Sequence, residues 1–342
     1  MAISKIPSAG FQDNVKFKNL LINGSMDIAQ RGTSATGIGN GDSGYHTVDR
    51  FKFVESGSPS TVFTQSQSTD VPTGQGFAKS LKMDVTTADA SLGADDAIYI
   101  NTSVEGQNLQ YIKKGTSSAE SLTASFWVKS SKTGTYICEL EDVDNNRTIN
   151  KSYTINSADT WEKKTITYDG DTTGAFDNDN AGSLVFTFYL LAGSNFSSGT
   201  LQTSWGTKTS ANRAVGQVNL ADSTDNEWLI TGVQLESGTA SDFEFLPVDV
   251  NLARCQRYFE NFSETIGYHI FLRGQLNEDT LGSVDIFFKQ TMRTEPSVSI
   301  TDTNVYTTQG LSINKKGFVS FGTLTSSSAT ARIDGYEADA EL

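Results

Sequence analysis

The sequence predicts an all-β protein: a jelly-roll β-sandwich, then a short helix, then a small C-terminal β domain. Three observations carry this. Gly, Ser, Thr, Asn and Asp are abundant, long helical patterns are nearly absent, and 20 Phe and 11 Tyr outnumber 4 Met, which suits pleated, half-buried backbone. Short alternating runs follow one another between turn-forming stretches such as Gly37–Gly44, Asp142–Asn146 and Gly193–Gly199, the punctuation of a sandwich. The stretch Glu227–Phe262 then passes from a strand pattern, across Pro247, into spacings of three and four. That change of period marks a joint between a large body and a small one.

Residues 1–18 have no period and mix Pro7 and Gly10 with isolated Ile3, Ile6, Phe11, Val15 and Phe17. Alone, such a segment cannot bury enough surface to order itself. It reads either as a frayed terminus or as an arm that orders when Ile6, Phe11 and Phe17 enter grooves on another protein. Residues 19–248 are the expected sandwich. Its clearest strands are Phe51–Glu55, Ser80–Val85, Ala97–Val104, Ser121–Lys129, Thr135–Glu141, Trp161–Tyr168, Leu184–Leu191 and Trp228–Leu235. Eight such strands suit a jelly roll. In the last of them Trp228, Ile230 and Gly232 are expected on one face, with Leu229, Thr231, Val233 and Leu235 on the other. Beyond Pro247, Leu252, Cys255, Phe259 and Phe262 give the connector 249–262 one apolar helical stripe, with Asp249 or Asn251 as N-cap. Residues 263–342 carry strand patterns at Tyr268–Leu272, Leu281–Phe288, Ser297–Ile300, Asn304–Thr307, Leu311–Ile313, Gly317–Phe321 and Ala329–Asp339. A β domain that small is marginal alone; added burial is expected from neighbours, most simply in a homotrimer.

The net charge of −14, from 26 basic and 40 acidic residues, repels nucleic acid and anionic lipid, and no basic stripe offsets it. Cys138 alternates within a strand and Cys255 lies on the helical stripe, so both read as small buried hydrophobes of a protein folded in a reducing cytosol. The N-terminus lacks the apolar core of a signal peptide, and no apolar run approaches bilayer length. No membrane insertion is expected.

Alternation also sorts candidate sites. Leu122, Ala124, Phe126 and Val128 read as core, leaving Trp127 among Thr123, Ser125 and Lys129 on the other face. Ala97–Val104 likewise leaves Tyr99 outside, and Leu184–Leu191 leaves Tyr189 outside. Tyr99, Trp127 and Tyr189 are therefore expected to share a mostly polar face. Aromatic planes flanked by hydroxyls and amides suit pyranose rings. The alternative is that a long loop or another subunit covers this face, and a one-residue bulge would reverse any of these strands.

Asp169–Gly174 matches the opening of an EF-hand loop, with Asp169 and Asp171 at the first and third places and Asp177 at the ninth, but Asn180 stands where a bidentate Glu is required. Asp169, Asp171 and Asp177 are thus a candidate for a structural calcium, with a solvated turn as the alternative. Glu141, Asp142, Asp144 and Asn145 form a second, thinner case. No other cofactor is expected: P-loop, dinucleotide and zinc spacings are missing. His46 and His269 have no nucleophile setting, so no catalytic residue is assigned, although the many carboxylates leave a glycosidase pair open.

Asn19–Ser34 (NLLINGSMDIAQRGTS), Tyr45–Phe51 (YHTVDRF), Leu201–Ser223 and the run EWLITGVQLE followed by ARCQRYFE resemble the sandwich module of phage tail-fibre and receptor-binding proteins, a carbohydrate-binding-module-like jelly roll. Together they span about two-thirds of the chain. The resemblance implies a virion surface protein, made in the host cytoplasm, that attaches to host surface glycans. It also makes residues 1–18 the arm toward other virion proteins and Trp205 a structural staple. Tip loops near Tyr306, Gln309 and Ser326–Ser328 become a second candidate glycan surface. A capsid decoration or adaptor without a glycan ligand, and a glycan depolymerase, are the alternatives.

Overall fold

The computed structural model describes residues 17–263, 270–276, 281–304, 306–324 and 328–342. Among them, two six-stranded antiparallel sheets form a jelly-roll sandwich. The first sheet runs, in spatial order, β1 (Ser34–Gly39), β3 (Val62–Ser68), β4 (Ser80–Thr87), β12 (Glu227–Ser237), β6 (Leu122–Ser130) and β9 (Glu162–Tyr168). The second runs β11 (Gly206–Thr207), β8 (Arg147–Ile155), β7 (Gly134–Asp142), β10 (Gly182–Ala192), β5 (Ala97–Glu105) and β2 (Lys52–Ser56). All eight expected strands are present. β1, β3, β8 and β11 are additional; in β3 a polar residue interrupts the apolar pattern, since Gln65 is buried and accepts from Thr47 Oγ1 at 2.8 Å.

Between the sheets lies one apolar core that includes Phe53, Phe63, Phe126, Phe186, Phe188 and Trp228. Phe188 meets Phe126 edge-on at 5.0 Å and Phe186 at 4.6 Å. Each such side chain contributes about 1.5–3 kcal/mol on burial, so this core dominates the stability of the body. Both cysteines are buried and free.

Two bulges correct the expected facing. In β12 the register shifts between Thr231 and Gln234, with Gly232 at φ 62°. Trp228 and Ile230 therefore share the core with Val233 and Leu235, not with Gly232. A side chain at Gly232 would strike Phe77 at 2.5 Å, so the bulge needs glycine for space as well as for φ. In β10 the shift between Tyr189 and Leu191 turns both Leu190 and Leu191 inward.

The helical connector is shorter than its spacing predicts. Helix α1 (Ser194–Ser197) is a single turn in the covering loop, and α2 spans Val248–Gln256. Pro247 is the N-cap of α2, while Asp249 sits in its first turn and Asn251 is buried inside it, donating to Asn23 Oδ1 at 3.2 Å. Proline's missing amide costs nothing there. Phe259 and Phe262 lie beyond the helix on β13 (Phe259–Ser263), because strand pairing with β19 (Ser328–Asp339) overrides the helical spacing.

β19 is the centre of the C-terminal part. One of its edges takes β13 and β14 (Ile270–Leu276) in succession, the other β16 (Ser297–Asn304). A second sheet orders β15 (Leu281–Phe287), β18 (Gly317–Leu324) and β17 (Tyr306–Asn314). The separate strands expected at Asn304–Thr307 and Leu311–Ile313 resolve into the end of β16 and one β17, irregular between Thr308 and Gly310. Phe288, Met292, Phe318, Ile333 and Tyr336 form the core between the two sheets.

Arginines lock the joint. Arg31 pairs with Asp339 at 2.9 Å and lies 3.5 Å over the Phe259 ring, while buried Arg50 pairs with Glu341 and lies 3.5 Å over Tyr258. Arg293 donates to the carbonyls of Ala340, Glu341 and Asn180. Gln30 Nε2 bridges Asp49 Oδ2 and the Phe259 carbonyl at 2.5 and 2.7 Å.

Burial pushes the Asp49 carboxyl up from the ordinary value to about 6, against the Gln30 hydrogen bonds. A carboxyl raised in the folded state binds its proton more tightly there than in the unfolded chain. Stability therefore falls as pH rises from the ordinary Asp range toward 6, and is regained on acidification through that window. Carboxyl-carbon NMR is expected to place the Asp49 midpoint near 6; a midpoint near 4 would show that its burial carries no such penalty.

Candidate functional site

The shared aromatic face expected from alternation does not form. Tyr99 and Tyr189 are cross-strand partners on the second sheet, with rings 5.3 Å apart, whereas Trp127 is on β6 of the first sheet. They occupy opposite outer faces of the sandwich. On the second sheet the segment 193–218 covers the face: Phe196, Leu201 and Ala214 pack with Tyr189 and Ile137, and Tyr189 is fully buried. Arg213 clamps that cover, bidentate to buried Glu139 at 2.9 and 2.5 Å. Burial pushes the Glu139 carboxyl up against the pull of Arg213. Trp127 is half-buried between Lys163 of β9 and Thr231 of β12. Tyr306, Gln309 and Ser326–Ser328 fall where side chains lie outside the described residues.

The calcium candidates do not converge either. Asp171 is buried and engaged by cations the chain supplies itself: Arg147 at 2.7 and 3.0 Å, and Lys114 at 3.2 Å. Burial alone would raise the Asp171 carboxyl, but hydrogen bonds from Arg147 and Thr173 and the charge of Lys114 outweigh it and hold the group below its ordinary value. Asp169 offers its backbone carbonyl to Trp205 Nε1 at 2.7 Å, and the Asp177 amide donates to Asp144 at 2.9 Å. Asn180, at the twelfth place of the loop, donates instead to the Arg293 carbonyl at 2.5 Å. Among the described residues no group of three or more His, Cys, Asp or Glu side chains could hold a metal ion. The run is a loop with Asp169, Thr172, Thr173 and Asp177 exposed, while Asp171 alone of the three aspartates is buried in an ion pair.

A cleft of about 960 Å³ lies elsewhere, at the end of the sandwich next to α2. Its floor comes from the last residues of β5, the last residues of β12, and a segment from Phe17 to Ile22. That segment is fastened along β12 by Asn19, whose Nδ2 donates to the Val233 carbonyl at 2.9 Å and whose Oδ1 accepts from the Leu21 and Leu235 amides, both at 3.0 Å. A side chain at Gly24 would strike the Val233 carbonyl at 2.0 Å, so the NLLING run fits only with glycine there.

Two exposed aromatic side chains stand in the cleft, beside buried Tyr258. Tyr111, on the turn Gln110–Ile112, is 46% exposed, and Phe17 is 56% exposed. Burial, with the charges of Glu236 and Glu244, pushes the Tyr111 phenol up. Gln107, Asn108, Thr239 and Ser241 supply amides and hydroxyls along the walls. Arg254 of α2 lies 5.0 Å over the Phe17 ring.

The acids here are committed. Fully buried Glu105 accepts from Arg257 at 2.9 and 2.8 Å and from Tyr258 Oη at 2.6 Å. Burial would raise its carboxyl, yet Arg257 and Tyr258 hold it below the ordinary value. Glu236 accepts from Gln234 and from the Ser241 amide and hydroxyl, at 2.8, 2.7 and 2.7 Å.

No protein-family model and no curated protein sequence matches the chain. Solved structures do, at low similarity. Part of the chain is similar to the enzymatically active domain of bacteriophage CBA120 tailspike protein 4, at 13% identity and TM-score 0.33, over 59% of this chain and 21% of that one. It is similar to a family 11 carbohydrate-binding module from Clostridium thermocellum in complex with a mixed-linked tetrasaccharide, at 11% identity and TM-score 0.31, over 61% and 99% of the two chains. A family 30 carbohydrate-binding module is similar at 10% identity and TM-score 0.32, over 69% and 93%. At these values the likeness carries no argument about function.

Sequence reasoning missed the cleft. Its lining comes from chain segments far apart, and no period links Phe17, Tyr111 and Arg254. The one available signal was Tyr111 itself, an aromatic outside any strand pattern.

Proposed function

We propose that the chain is a phage virion surface protein that attaches to host surface glycans through the cleft beside α2. The observation that carries this reading is the pairing of two exposed aromatic faces, Tyr111 and Phe17, with amide and hydroxyl groups in one concavity of oligosaccharide size. Sugar rings present apolar CH faces to stack and hydroxyls to pair, and such a lining answers both. The virion assignment is supported by the resemblance of the NLLING, YHTVDRF and EWLITGVQLE runs to phage receptor-binding proteins.

In this proposal attachment involves no cleavage. A glycosidase needs one carboxyl kept protonated and a second free to act. Glu105 is held ionised by Arg257 and Tyr258, and Glu236 is spent on Gln234 and Ser241. Weak single contacts become useful when copies are linked, which can raise avidity by about 10²–10⁴. A homotrimer supplies such copies, and exposed Phe287 and Phe321 on the outer face of the C-terminal three-stranded sheet offer a surface for their association.

Glycan-array binding tests this. Tyr111→Ala is expected to weaken retention roughly ten-fold, the worth of one stacked ring, while Trp127→Ala leaves it unchanged. The reverse pattern would move the site to the outer face of the first sheet. Silence of the wild-type protein on every glycan would favour a purely structural virion role, and reducing ends released over time would favour a depolymerase.

A further inference from the structure

Arg254 is a partly buried group in the cleft whose chemistry the neutral-sugar picture leaves unused. Its neighbour Arg257 is consumed by Glu105, but Arg254 forms no ion pair and no hydrogen bond among the described residues; its recorded partner is the Phe17 ring. Glu244, whose charge bears on it, accepts at Oε2 from the Asn19 amide at 3.0 Å and makes no ion pair with Arg254. Burial depresses the Arg254 pKa. A guanidinium taken partly out of water, with five N–H donors and no acceptor, is an unfinished interaction. Lys18, exposed on the same cleft, adds a second cation. In a chain of net charge −14, this concavity thus carries two cations without an ion pair among the described residues, against the engaged carboxylates Glu105 and Glu236.

Resting on the glycan-binding reading, we infer that the cleft selects acidic glycans, with the Arg254 guanidinium pairing to an anionic substituent of the sugar. Arginine's planar fork matches carboxylate and phosphate oxygens in the same bidentate manner. A uronic or sialic carboxylate and a sugar phosphate are therefore the two sources of one chemistry. The Phe17 ring, 5.0 Å from the guanidinium carbon, offers that cation an aromatic face and takes none of its N–H donors in a hydrogen bond. Tyr111 would take the apolar face of the same or the next ring.

The test is a glycan array sorted into neutral, carboxylated and phosphorylated members, read with the wild type, Arg254→Gln and Arg254→Lys. Arg254→Gln is expected to fold, because no buried carboxylate loses its partner, and an unchanged melting temperature checks that. The wild type should retain acidic members about ten-fold or more above their neutral counterparts, one charge-assisted contact's worth. Arg254→Gln should erase that preference and Arg254→Lys should keep part of it. Whichever acidic class survives dilution identifies the source of the anion. Wild-type hits that are mainly neutral, or acidic hits that persist in Arg254→Gln, overturn this inference and leave the glycan reading standing. No retained glycan of any kind overturns both.

Discussion

Arg213→Met is expected to lower the unfolding free energy by about 3–5 kcal/mol, the penalty for leaving a buried charge without its partner. Arg213 is the cation for fully buried Glu139 and also reaches Glu141 at 3.2 Å. Methionine matches much of its length but offers no donor. The Glu139 carboxyl, already raised by burial, would then be driven to take up a proton. Linkage fixes the sign: the variant should recover stability on acidification, since a carboxyl with a raised folded-state pKa favours the fold at low pH and loses that advantage as pH rises. Urea unfolding at neutral and mildly acidic pH measures both effects. Replacing the pair together, Glu139→Gln with Arg213→Met, is expected to be milder than the single change, because no charge is stranded. A single variant as stable as wild type would mean that segment 193–218 is held by packing alone. Glycan retention should not respond to these changes, since the cleft is at another part of the sandwich.

That prediction also shows where the sequence was legible and where it was not. Alternation located eight strands of the body, because strands such as β5 and β6 put large apolar groups inside with little exception: Ile98, Ile100 and Val104, or Leu122, Phe126 and Val128. It could not say which strands share a sheet. Pairing in a jelly roll joins β4 to β12 and β10 to both β5 and β7, a choice made by long-range register rather than local pattern. Tyr99 and Tyr189 lie on the outer face of their sheet, but their own chain covers it and Tyr189 is buried in a second cluster there. Trp127 had the same local pattern and landed on the other sheet. The β12 bulge is a one-residue event that only Gly232 betrays. The helix at the joint was visible, but Phe259 and Phe262 fell at helical spacing by coincidence: one lies under Arg31, and the other stacks on Tyr336 at 5.7 Å within a sheet.

The calcium motif misled for a more instructive reason, and it sets the second large effect. Lys114→Met is expected to destabilise the sandwich by about 3–5 kcal/mol, while a chelator leaves the wild type's melting temperature unchanged. Lys114 Nζ sits among four oxygens: a carboxylate oxygen of Asp142, Asp171 Oδ2 at 3.2 Å, and the carbonyls of Thr173 and Gly174 at 2.9 and 2.7 Å. An ammonium has three N–H groups, so four acceptors are more than it can satisfy individually. The oxygens are gathered around the charge itself, as they would be around a hard cation. The Asp-Gly-Asp-Thr-Thr-Gly run thus does hold a positive charge, but the chain provides it from residue 114. The Phe176 ring, 5.0 Å from the ammonium, closes one side of the site, and the Trp205 ring lies 5.7 Å away. Removing the ammonium takes the cation from Asp142, whose side chain is fully buried and keeps hydrogen bonds from Asn145, and leaves Arg147 as the one cation on Asp171 among the described residues. Because the Asp171 carboxyl is lowered in the fold, its contribution is present above the ordinary Asp range and fades as pH falls through the lower folded value. Calorimetry of the two proteins across that range, with and without chelator, decides the matter. A wild type that melts earlier in chelator would mean that a metal, not Lys114, neutralises this cluster.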